Sequence, residues 1–148
     1  MKDANSVSSN IQINAPASKV WEIITDPVYA KILGNEFDKN AYVESDWELG
    51  SEVYFKYTHK PEKPANTGTI SKLVEEALIH VDYVFPGYGK YVETYSLQHE
   101  NNVSVLQIDA GPYGADLDDQ KVVWKNWLLK VKALSEGVIL VPAVEIVP

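Results

Sequence analysis

The chain has 148 residues, enough for one domain with a sizeable core, and its 45% hydrophobic and 23% charged content is ordinary for a globular protein. It has no cysteine, which excludes a disulfide scaffold, a thiol nucleophile and a cysteine zinc site. Its 13 basic residues, all lysine, are set against 21 acidic ones; the net charge of −8 repels nucleic acid and anionic lipid, and no guanidinium is available to clamp phosphate.

The first ten residues are polar and lack the apolar core of a signal peptide. No apolar run approaches the roughly 20 residues that span a bilayer. A cytoplasmic protein without nucleic-acid or membrane partners is expected. Val7 to Asn14 reads as a strand. Pro16 to Thr25 reads as a helix with Pro in its first turn, where a missing N–H costs nothing, and with Val20, Trp21 and Ile24 on one face. Asp26-Pro27 repeats the device, a capping carboxylate followed by Pro, and a second short helix runs to about Gly34.

The pattern then changes to period two. Ala41 to Glu44 is a weak strand, and Val53, Phe55 and Tyr57 alternate with Tyr54 and Lys56, as in a strand with one buried face. Thr67 to Leu73 and Ala77 to Phe85 flank a Val74-Glu75-Glu76 turn. Pro86-Gly87-Tyr88-Gly89 reads as a turn, since it lacks the lysine and hydroxyl residue of a phosphate loop. Tyr91 to His99 and Val103 to Asp109 pair across Glu100-Asn101-Asn102.

Asp116 to Glu136 is the long helix. Trp124, Trp127, Leu128, Val131 and Leu134 share one face, acids sit at the start and lysines near the end. Asp116, Asp118 and Asp119 lack the glycine and terminal glutamate of a calcium loop and read as helix capping. The fold class is α+β: seven mostly antiparallel strands, two short helices after the first strand, and one long C-terminal helix. One domain is expected over 1–148. Eight of the 11 residues in 138–148 are apolar, so this extension is expected either to pack on its own domain or to form a homodimer contact.

This order resembles the START-like, SRPBCC superfamily, also called birch-pollen-allergen-like. The signatures are Ala15-Pro16…Val20-Trp21…Thr25-Asp26-Pro27, Asp46-Trp47-Glu48-Leu49-Gly50, Gly68-Thr69-Ile70-Ser71-Lys72-Leu73 with Leu78-Ile79-His80-Val81-Asp82-Tyr83, and Trp124 to Leu134. Within the superfamily the chain is most similar to the branch of activators of the Hsp-ninety ATPase. The resemblance implies a helix-grip fold, in which a curved sheet wraps the long helix and leaves a cavity between them. Many members carry tryptophans shortly after the Thr-Asp-Pro element. Here the positions hold Tyr29, Ile32 and Leu33, so an aliphatic rather than indole-lined pocket roof is expected.

The ligand-binding set expected from the resemblance and the strand faces is Trp21, Ile24, Tyr29, Ile32, Leu33, Phe55, Tyr57, Val81, Tyr83, Tyr95, Leu106, Trp124, Trp127, Leu128 and Val131. A small hydrophobic molecule would be held by apolar burial and oriented by the hydroxyls of Tyr57, Tyr83 and Tyr95. No cofactor or metal is expected. His80 falls on the opposite strand face from Val81 and Tyr83, and His59 and His99 lie in a loop and at a hairpin end. No serine-hydrolase, zinc-hydrolase or dinucleotide motif occurs. Three functions remain open: non-enzymatic binding of a hydrophobic ligand, a cyclase- or hydrolase-like enzyme using one of these tyrosines or His80, and a co-chaperone-like interaction module.

Overall fold

The computed structural model describes residues 5–85 and 89–138. The expected turn at 86–89 falls largely outside them, as does the tail beyond Val138. Strand β1 (Val7–Ile13) leads into helix α1 (Ala17–Thr25). Pro16 is the N-cap rather than the first helical residue; its carbonyl accepts from Lys19 N at 3.0 Å and Val20 N at 3.2 Å. The Asp26 carboxylate accepts from Val28 N at 3.0 Å and opens a 3-10 turn (Pro27–Tyr29), which continues into helix α2 (Ala30–Gly34). A Cβ on Gly34 would lie 2.0 Å from the Ala41 carbonyl oxygen, so only glycine lets α2 sit this closely on the next strand.

The remaining strands are β2 (Ala41–Ser45), β3 (Glu52–Tyr57), β4 (Asn66–Val74), β5 (Leu78–Phe85), β6 (Gly89–Glu100) and β7 (Val103–Gly111), followed by helix α3 (Leu117–Ser135). They form one antiparallel sheet in the order β1-β7-β6-β5-β4-β3-β2, curled around α3. The seven strands, two short helices and long closing helix are the α+β helix-grip arrangement expected from the residues.

Register sets which side chains face the helix. Val81 pairs with Glu93, Tyr83 with Tyr91 and Ile79 with Tyr95; across the next ladder Glu93 meets Ala110 and Tyr95 meets Ile108. The inner row of β6 is therefore Tyr91, Glu93, Tyr95 and Leu97, because side chains alternate with period two. Gly68 faces Tyr83 on the same side, and a Cβ there would come within 2.7 Å of the tyrosine ring.

Helix α3 is pinned at its C-terminal end. Lys132 Nζ donates to Gln12 O at 2.7 Å and to Glu136 Oε2 at 2.7 Å, and Asn14 N donates to the same carboxylate at 2.7 Å. Trp124, Trp127, Leu128, Val131 and Leu134 join Ile13, Val20, Ile23, Leu106 and Ile108 in one core. Under the other end, around Asp116, Gln120 and Trp124, the helix stands off the sheet.

Candidate functional site

Two cavities flank Phe37, in the turn after α2. The first, about 500 Å³, lies between α1–α2 and β2 and is lined by Ile24, Leu33, Tyr42, Val43, Trp47, Tyr95 and Trp127, with Asp26, Lys31, Glu44 and Asp46 at its polar edge. The second, about 860 Å³, lies between the inner sheet face and the start of α3, and is lined by Phe37, Phe55, Tyr57, Tyr83, Tyr91, Glu93, Tyr113 and Trp124. Exposed Asp38, Gly114, Ala115 and Asp116 form its mouth. Phe37 stands edge-on to Trp124 at a centroid distance of 4.9 Å and belongs to both walls.

The second cavity contains a carboxylate that strand alternation turns inward. Tyr95 Oη donates to Glu93 Oε1 at 2.6 Å, and Tyr91 Oη donates to Glu93 Oε2 at 2.8 Å. Trp124 Nε1 donates to Tyr113 Oη at 2.9 Å, and the Tyr113 and Tyr91 hydroxyls bond to each other. Indole N–H can only donate and Tyr91 spends its proton on Glu93, so the donor direction runs from Trp124 through Tyr113 and Tyr91 to the carboxylate. Glu93 is half-buried and lines the second cavity.

Burial pushes the Glu93 carboxyl above its ordinary value, against the opposing pull of the Tyr95 and Tyr91 hydroxyls. Burial, first, and the nearby Glu93 charge raise Tyr83, Tyr91 and Tyr95. Tyr113, nearer the mouth, is pushed up to about 12, mainly by burial. Tyr57 sits at the rim, where its hydroxyl donates to Asp38 Oδ2 at 2.7 Å; that bond is the main cause of its raised pKa.

The expected ligand residues divide into three groups. Ile24, Leu33, Tyr95 and Trp127 line the first cavity; Phe55, Tyr57, Tyr83 and Trp124 line the second. Val81, Leu106, Leu128 and Val131 are buried core, while Trp21, Tyr29 and Ile32 pack half-buried against it, and these seven line neither cavity. Of the residues expected to make an aliphatic roof, Leu33 lines the first cavity and Tyr29 and Ile32 line neither; Trp47 also lines the first. This residue adopts a left-handed backbone (φ 54°) in the β2–β3 loop, and its cavity is also lined by Trp127.

His80 lies on the outer sheet face, 3.3 Å from Asp82 Oδ1 and 2.9 Å from Thr94 Oγ1. Asp116 occupies the N-cap position of α3, but its carboxylate accepts from the Gln120 side chain at 3.3 Å instead of capping the backbone. Among the described residues no group of three or more His, Asp or Glu is placed to hold a metal ion. Nor, among them, is any helix long and apolar enough to cross a membrane.

Glu93, Tyr91, Tyr113, Phe37 and Trp47 were not in the expected set. Glu93 and Tyr91 had a usable signal: once Tyr95 is assigned to the inner face, period two carries positions 93 and 91 with it. Phe37, Trp47 and Tyr113 lie in connecting segments, where no periodicity assigns a face.

Known structures share this architecture. Protein CV1439 from Chromobacterium violaceum is 21% identical, with 89% of this chain and 98% of that one covered and a TM-score of 0.68. The Aha1 dimer from Colwellia psychrerythraea is 13% identical over 88% and 96% of the two chains, also at TM-score 0.68. The Hsp90 activator PFC0360w from Plasmodium falciparum is 13% identical over 85% and 91%, at TM-score 0.65. At these identities the likeness shows the fold alone. No curated protein sequence matches the chain. The family model described as "Activator of Hsp90 ATPase homolog 1-like protein" matches residues 14–136, and the chain belongs to that family, within the START-like SRPBCC superfamily.

Proposed function

We propose that the protein binds a small hydrophobic molecule, without catalysis, in the cavity between the curved sheet and α3. One observation carries the reading: about 860 Å³ of space walled by aromatic rings where a packed core would leave none. Burial against those rings supplies affinity, at roughly 25 cal/mol per Å² of apolar surface removed from water. Native mass spectrometry of the purified protein, with displacement of a hydrophobic fluorescent dye, tests it. A bound small molecule or a displaceable dye supports the reading, and a protein that binds neither contradicts it.

A second reading, a cyclase- or hydrolase-like enzyme, is favoured by the Glu93 carboxyl facing the cavity with its pKa raised by burial, as general acid–base work requires. It predicts turnover that Glu93→Gln removes while dye binding persists. His80, on the far side of the sheet, has no part in it. Family membership and the names of two structural neighbours favour a co-chaperone-like role, which a pull-down against Hsp90 tests. A single domain over 1–148, a homodimer through the 138–148 extension and a cytoplasmic location complete the proposal; the same mass spectrum and cell fractionation examine the last two.

A further inference from the structure

We infer that the cavity between the sheet and α3 takes a lipophilic amine, with its cationic head against Glu93 and its apolar body among the aromatic rings. This deepens the proposed function and rests on that cavity being a ligand site. The first support is the polarity of the wall. Seven aromatic rings and the carboxyl groups of Asp38, Glu93 and Asp116 line the cavity, and no lysine or histidine is among its described lining residues. Ring faces and carboxylates both attract a cation, and the effect strengthens as water is excluded.

The second support is the bookkeeping of donors. The hydroxyls of Tyr91 and Tyr95 donate to Glu93, that of Tyr57 to Asp38, and the Trp124 N–H to Tyr113. Each of these four donors is committed, so a ligand carbonyl or carboxylate set beside Glu93 would have to break an existing bond to use one of them. A carboxylate has about four acceptor sites, and two tyrosines use two of those on Glu93. Acceptor capacity on Glu93, with the tyrosine hydroxyls that reach it already engaged, favours a ligand head that donates there. The first cavity differs: Lys31 stands among its acids and offers a cation of its own.

Decylammonium, decanol and decanoate, used below their micellar concentrations, share a chain length and differ in head charge. We expect calorimetric titration to give decylammonium a Kd about tenfold below that of decanol, with decanoate weakest. Glu93→Gln should bring decylammonium and decanol to similar affinities. Asp82→Asn, the same charge change on the outer sheet face, should leave the preference intact. Equal binding of decanol and decylammonium to the unaltered protein would overturn the inference while leaving the container reading standing. So would tightest binding of decanoate, or a preference that survives in Glu93→Gln. Failure of all three probes, with no dye displacement, would remove the container reading as well. The comparison on the unaltered protein decides the matter even if Glu93→Gln folds poorly.

Discussion

Strands β5 and β6 carry a hydrogen-bonded carboxylate on each face, and the two behave in opposite ways. Outside, Asp82 is exposed; a hydrogen bond from Ser71 and the charge of His80 hold its carboxyl below the ordinary value. Inside, Glu93 receives two tyrosine hydroxyls, and burial still drives its carboxyl upward. Donors are present in both places, so solvent decides. In water a hydrogen bond settles the direction of a carboxylate's shift; in an aromatic cavity desolvation overrides two of them.

The widest break in that comparison comes from removing the wall of the inner site. Trp124 is fully buried and donates to Tyr113, so Trp124→Ala should cost about 4 kcal/mol, read by denaturant unfolding. Tyr95→Phe keeps the ring and deletes one donor to Glu93. It should cost about 2 kcal/mol at neutral pH, and less in acid, where the carboxyl is protonated and needs the donor less. On the outer face, Asp82→Asn should stay within about 0.5 kcal/mol, because the partnership it breaks is bathed in solvent. If Asp82→Asn proved as damaging as Tyr95→Phe, the distinction between the faces would fail.

The pH dependence separates the faces by sign. Glu93 binds its proton more tightly folded than unfolded, so its contribution favours the fold in acid and declines as pH rises from 4.5 through the raised folded value. Asp82 and Glu136 are lowered; their contributions are present at neutral pH and fade as pH falls through their depressed folded values. Glu93→Gln should flatten only the first dependence in pH-resolved unfolding curves.

Much of the fold was legible because it follows from local rules. Alternation at Val53, Phe55 and Tyr57, prolines at 16 and 27, and the apolar row from Trp124 to Leu134 each specify an element without knowledge of its neighbours. The cavities depend on distances between elements, and only some of their lining was legible. Phe55 and Tyr83 could be assigned to an inner face, yet nothing local says that α3 stands off the sheet near Asp116 and lies against it near Lys132. Glu93 was hidden for a different reason. A glutamate in a strand reads as solvated, and the tyrosines that make its burial tolerable come from β6 itself and from the segment before α3. Period two pointed inward while residue chemistry pointed outward, and the period won.

The central claim is a desolvated carboxylate facing a ligand cavity, and a carbon-13 NMR titration of the Glu93 side chain tests it most directly. A midpoint above the ordinary glutamate value of 4.5 is expected in the unliganded protein, moving down when decylammonium binds. A midpoint at or below 4.5, unmoved by the amine, would contradict it.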